Sequence, residues 1–200
     1  MQPPTTFGAF ALNFFLVTGT PVTCEPFDSR EATIDTVHNA IYLGIATCSD
    51  VVFSFMARIE EFNPAINAII TLNSNSLTIA GGMDAQLASG NATGPLFCIP
   101  MLLKDNFDTA DMNTTGGCLG LRGNKPLADA PTVAALKNTG AIILGKTNLH
   151  GLALEGLSVS SLGGQTVNPY DHTRTPGGSG GGTGAAVATS FAVFGTGRFG

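Results

Sequence analysis

The sequence predicts an α/β protein, and three observations carry that expectation. Apolar runs of strand length alternate with segments whose apolar residues recur at helical spacing. Hydrophobic residues make up 44% of the chain and charged residues 12%, well below the usual share of about 25% charged. Much of the chain is therefore core. Third, Thr175-Pro176-Gly177-Gly178-Ser179-Gly180-Gly181-Gly182-Thr183-Gly184 sets a serine among six glycines, close to apolar segments on either side. Glycine has no Cβ, so such a turn admits a ligand or another strand to close approach.

The 200 residues are long enough for one ordinary domain, or for part of a larger one. Residues 1–28 read as an N-terminal segment and residues 29–200 as the domain. Residues 7–17 are apolar except for Asn13, far too short to span a bilayer as a helix. They have the length of a signal-peptide core, but no Lys or Arg precedes them and no small-x-small cleavage site follows. A cytoplasmic location is thus favoured over secretion. A net charge of −5 argues against a nucleic-acid partner, since phosphate backbones select basic surfaces.

Each element follows in order. Ser29-Arg30-Glu31-Ala32 reads as a helix start capped by Ser29. Ile34, Val37, Ile41 and Ile45 then form one apolar face. A second helix begins at Ser49, with Val51, Val52, Phe55, Ile59 and Phe62 as its apolar stripe and Arg58, Glu60 and Glu61 facing water. It is expected to stop near Asn63-Pro64, because proline disfavours helix at the residue before it. Residues 66–72, rich in isoleucine, read as a buried strand, and residues 76–88 as a helix weakened by Gly81-Gly82. Residues 96–103 are an apolar run of strand length ending in Lys104-Asp105-Asn106. Residues 113–123 read as loop. Residues 131–138 form a helix with Pro131 early, where its missing amide costs nothing. Residues 141–144 are a short buried strand, residues 151–169 are irregular, and a small-residue helix follows the glycine stretch from Ala185.

One charge and one hydroxyl carry the chemical interest. Lys104 follows eight uncharged residues. A lysine at such a strand end loses solvation, which favours the neutral amine, a competent general base. The alternative is a lysine paired with Asp105, which spacing alone favours. Ser179 on its glycine platform suits proton transfer or anion binding, against the alternative of a flexible linker. His38, His150 and His172 are too scattered for a metal site. Cys24, Cys48, Cys98 and Cys118 lack metal-ligand spacing, and Cys98, in an apolar run, reads as a buried free thiol. Asn91-Ala92-Thr93 and Asn113-Thr114-Thr115 fit the glycosylation acceptor pattern and matter only in an exported chain. Gly145-Lys146-Thr147 resembles the end of a phosphate loop but lacks the earlier glycine. Gly195-Thr196-Gly197-Arg198-Phe199-Gly200 fits a dinucleotide fingerprint without the acidic residue that should follow.

The combination is more specific than any single motif. Gly94-Pro95-Leu96-Phe97-Cys98-Ile99-Pro100-Met101-Leu102-Leu103-Lys104-Asp105-Asn106 resembles the amidase signature family. So do Gly140-Ala141-Ile142-Ile143-Leu144-Gly145-Lys146-Thr147-Asn148 and Pro176-Gly177-Gly178-Ser179, in the family's order and spacing. Arg58-Ile59-Glu60-Glu61-Phe62-Asn63-Pro64 is similar to the family as well. The resemblance implies the N-terminal part of the amidase-signature fold, a mixed central sheet flanked by helices and incomplete at the C-terminus. It implies a serine hydrolase of carboxylic amides that uses no metal or cofactor and takes a small-molecule amide. It gives Lys104 the role of base and Ser179, in a cis peptide, the role of proton relay in a Ser–Ser–Lys triad. The nucleophilic serine and the oxyanion-hole amides are expected beyond Gly200, so the 200 residues are expected to be inactive by themselves. Gly180 stands where the family usually has a second serine, removing a hydroxyl able to orient the loop. The alternative reading is a non-catalytic binding or regulatory remnant of the same fold.

Overall fold

The computed structural model describes residues 26–92 and 94–197. The apolar stretch at 7–17, Cys24 and the end at Arg198-Phe199-Gly200 lie outside the described residues. Helices α1 (Ile34–Tyr42), α2 (Cys48–Ile66) and α3 (Ser76–Ala88) alternate with and precede strands β1 (Ile69–Leu72) and β2 (Ile99–Lys104). Helix α4 (Pro131–Asn138), β3 (Ala141–Thr147), the two-residue strands β4 (Val159–Ser160) and β5 (Gly164–Gln165), α5 (Gly181–Ala188) and β6 (Phe194–Gly195) complete the order.

The main sheet is mixed, with strand order β1-β3-β2-β6. Strand β3 is antiparallel to β1 and parallel to β2, and β6 is parallel to β2. The β2–α4–β3 segment is the parallel crossover that alternation of strand and helix foretells. Successive side chains on a strand point to opposite faces, and the core divides accordingly. Leu102, Ile142 and Leu144 join α1, α2, α3 and α5 in the larger cluster. Met101, Leu103, Ala141 and Ile143 face Val133 of α4 on the other side. Both faces of β2 and β3 are covered, which is why these strands read as unbroken apolar runs rather than alternating ones.

Several boundaries differ from expectation for identifiable reasons. Helix α1 starts after Thr33, not Ser29. Thr33 and Thr36 bond each other's backbone amides in a capping box, satisfying donors that Ser29 could not reach. Its expected apolar face is only half used: Val37 and Ile41 are buried, while Ile34 and Ile45 are exposed. Helix α2 is capped the same way by Thr47 and Asp50. It runs through Pro64 to Ile66, because Pro64 lies in the final turn, where one backbone bond is the whole loss. Asn67 ends it in the left-handed conformation, and Asn63 Oδ1 accepts the amides of Ala68 and Ile69, leading the chain into β1. Phe62 is exposed, and Arg58 lies over its ring while donating to the Thr189 carbonyl instead of facing water. Strand β1 is shorter than residues 66–72, and Leu72 at its end is exposed.

Cys98 is not a free thiol. It forms a disulfide with Cys48, the two Cα atoms 5.4 Å apart, tying the first residue of α2 to the start of β2. Cys118 is free. The acceptor pattern at Asn113 is built into the fold: Asn113 Nδ2 donates to the Arg122 carbonyl, and the Thr115 hydroxyl is buried on Asp105. None of the described helices is long and apolar enough to cross a membrane.

Candidate active site

Lys104 is the last residue of β2, and only 2% of it is exposed. The all-apolar strand delivers it to the carboxyl end of the sheet, where its amide donates to Thr196 Oγ1 just beyond β6. The Asp105 carboxylate is held by Lys146 of β3, at 3.2 Å, and by the amide and hydroxyl of Thr115. Lys146, wholly buried, also donates to the carbonyls of Phe107 and Asn113 and to Thr114 Oγ1. Burial pushes the Lys146 ammonium below its ordinary pKa, with Asp105 opposing the shift. The Gly145-Lys146-Thr147 stretch is thus an interior strand, not a phosphate loop.

Lys104 Nζ donates to Ser179 Oγ at 2.7 Å. The structure therefore brings together the two residues singled out in the sequence, across 75 positions. Ser179 follows a cis peptide bond from Gly178. Its carbonyl accepts the His150 amide at 2.9 Å. Helix α5 starts at Gly181, four residues earlier than Ala185, so the glycine run is its first turn rather than a linker. Glycine is required at two places here. A Cβ on Gly178 would sit 2.7 Å from the Gly156 backbone, and one on Gly182 would strike the Asn148 backbone.

Residues that no spacing rule identifies hold this arrangement. Ser158 Oγ donates to the Gly177 carbonyl and accepts the Gly181 amide. Thr183 of α5 meets Thr147 Oγ1 at 2.7 Å and donates to the Thr196 carbonyl. Asn148 accepts from the Ser160 hydroxyl and donates to the Gly164 carbonyl. Thr147 and Asn148 belong to a block legible in the sequence. Ser158 lies in a stretch read as irregular, and no local pattern points to it.

An open cavity of about 570 Å³ lies over the pair, walled by Asn106, Leu154, Glu155 and Gly178 as well as Lys104 and Ser179. An amine and a hydroxyl at this distance exchange a proton readily, and the hydroxyl faces a space wide enough for a small molecule. Of the scattered histidines, His38 bonds the Phe97 carbonyl, and His150 approaches Glu155 at 3.8 Å.

Comparison with known proteins points to a single family. The family model named Amidase matches residues 50–198. A Schizosaccharomyces pombe protein described as an amidase is 37% identical over 179 residues, covering 86% of this chain and 30% of its own length. A glutamyl-tRNA(Gln) amidotransferase chain of Azoarcus sp. is 44% identical over 144 residues, covering 72% of this chain and 29% of its own. Among solved structures, native peptide amidase from Stenotrophomonas maltophilia superposes with a TM-score of 0.78 at 36% identity, over 84% of this chain and 36% of that one. The chain thus spans about a third of the length of these relatives. With the motif blocks and the fold in agreement over three quarters of its length, the chain belongs to the amidase signature family.

Proposed function

We propose that residues 29–200 form the base-and-relay part of an amide hydrolase acting on small carboxylic amides. The observation that carries this reading is the 2.7 Å bond between Lys104 Nζ, buried at a strand end, and Ser179 Oγ, beneath an open cavity. In this reading neutral Lys104 takes the Ser179 proton as Ser179 takes one from a nucleophilic serine hydroxyl. That oxygen attacks the amide carbon. When the tetrahedral intermediate collapses, the C–N bond breaks and the proton held on Lys104 returns through Ser179 to the departing amine. Water then repeats the sequence on the acyl-enzyme. The nucleophilic serine is expected in a Gly-Gly-Ser segment that follows this part of the fold in the family, and the reading invokes no cofactor.

The 200 residues alone should therefore hydrolyse simple amides and esters no faster than their Lys104→Ala variant. A chain carried on through that segment and the rest of the family fold should turn over, and Lys104→Ala should abolish turnover there. An active extended chain indifferent to Lys104→Ala would overturn the proposal.

A further inference from the structure

We propose that Ser158 is the positioning residue that aims Ser179 at Lys104, doing so by clamping both ends of the glycine loop; this rests on the function proposed above. The loop has little side-chain structure of its own. Gly180 offers no hydroxyl after Ser179, and Gly177 adopts a positive φ of 79°. Fixing Ser179 Oγ therefore falls to contacts made onto the loop's backbone. The His150 amide holds the Ser179 carbonyl, and the Gly177 amide bonds Thr175 Oγ1 within the same segment. Ser158 alone, among the described residues, bonds the loop on both sides of Ser179. Its hydroxyl donates to the Gly177 carbonyl at 2.7 Å and accepts the Gly181 amide at 2.9 Å.

Those two bonds use the hydroxyl as donor and acceptor at once, which neither alanine nor a carboxylate reproduces. Ser158 is fully buried, so no water replaces the hydroxyl without a cavity to hold it. Ser158 also sits at φ 54°, a conformation uncommon for any residue with a Cβ. Glycine would adopt it with less strain, yet serine stands there. A hydroxyl whose bonds set the loop explains the strain; space filling does not, because the side chain is small.

The strain also supplies a clean test. Ser158→Gly removes the hydroxyl while relaxing the backbone. The measurement is the Cε resonance of Lys104 by NMR, in the 200-residue chain carrying labelled lysine and assigned through Lys104→Arg. Ser179→Ala should displace that resonance, because it deletes the hydroxyl that Nζ meets at 2.7 Å. Ser158→Gly should displace it in the same direction and at least half as far, with the circular dichroism spectrum unchanged. If Ser179→Ala moves the resonance and Ser158→Gly does not, the positioning role is wrong and the proposed function stands. If Ser179→Ala leaves it unmoved, the Lys104–Ser179 bond is absent and both readings fall. Ser158→Ala is the second variant. If neither variant folds, Ser158 holds the domain rather than the loop, and the inference is overturned.

Discussion

Asp105 and Lys146 form an ion pair at 3.2 Å with both side chains shielded from water, one residue beyond Lys104 and one strand over. Removing one member of such a pair leaves an uncompensated buried charge. Lys146→Ala should therefore lower unfolding free energy by about 3–5 kcal/mol, read by urea denaturation. A loss under about 1 kcal/mol would mean that Asp105 is satisfied without the ammonium, through Thr115.

The same lysine makes a pH prediction. Burial lowers its pKa below the ordinary 10.5. A lysine whose folded pKa is depressed carries a folding penalty that is full below the folded pKa. The penalty fades as pH rises from there to the unfolded value. Relative to Lys146→Met, the parent chain should gain stability with rising pH in the window that ends near 10.5. A flat or falling difference between the two denaturation midpoints in that window contradicts the assignment.

The Cys48–Cys98 disulfide closes a loop with a sequence separation of 50. The chain-entropy relation gives a stabilisation of about 4 kcal/mol for such a loop. Reduction, or Cys98→Ser, should lower the midpoint accordingly. In a Cys24→Ser background, thiol titration should report one free thiol before reduction and three after. Equal midpoints with and without reductant would show that the pair contributes nothing.

Two helical glycines should respond with opposite sign to alanine. Gly82 of α3 is exposed and has open space where a Cβ would go. Gly82→Ala should stabilise by about 0.5–1 kcal/mol through helix propensity. Gly182 of α5 is buried with the Asn148 backbone against it. Gly182→Ala should destabilise by about 1–3 kcal/mol despite the same propensity gain, because backbone cannot move aside as a side chain can. Thermal midpoints of the two variants on opposite sides of the parent's would bear this out; a rise for both would not.

What the sequence by itself determined is what neighbouring residues decide among themselves. Helix α3 spans the predicted residues 76–88, and α4 begins at Pro131, because a proline at the first position acts locally. The apolar runs became β2 and β3, and the alternation of elements gave the α/β class. Motif blocks named Lys104 and Ser179. What only the tertiary structure decided involves partners far along the chain. Asp105 pairs with Lys146 because β2 and β3 lie side by side, and the side chain of Lys104 turns to Ser179. Cys98 meets Cys48 because α2 starts beside the foot of β2, and connectivity is not written in cysteine spacing. Helix α2 passes Pro64, and α5 starts inside the glycine run, because packing against the sheet outweighs local preference. Ser158 holds the loop from 19 residues away through a single hydroxyl, a long-range polar contact that leaves no period and no motif in the sequence.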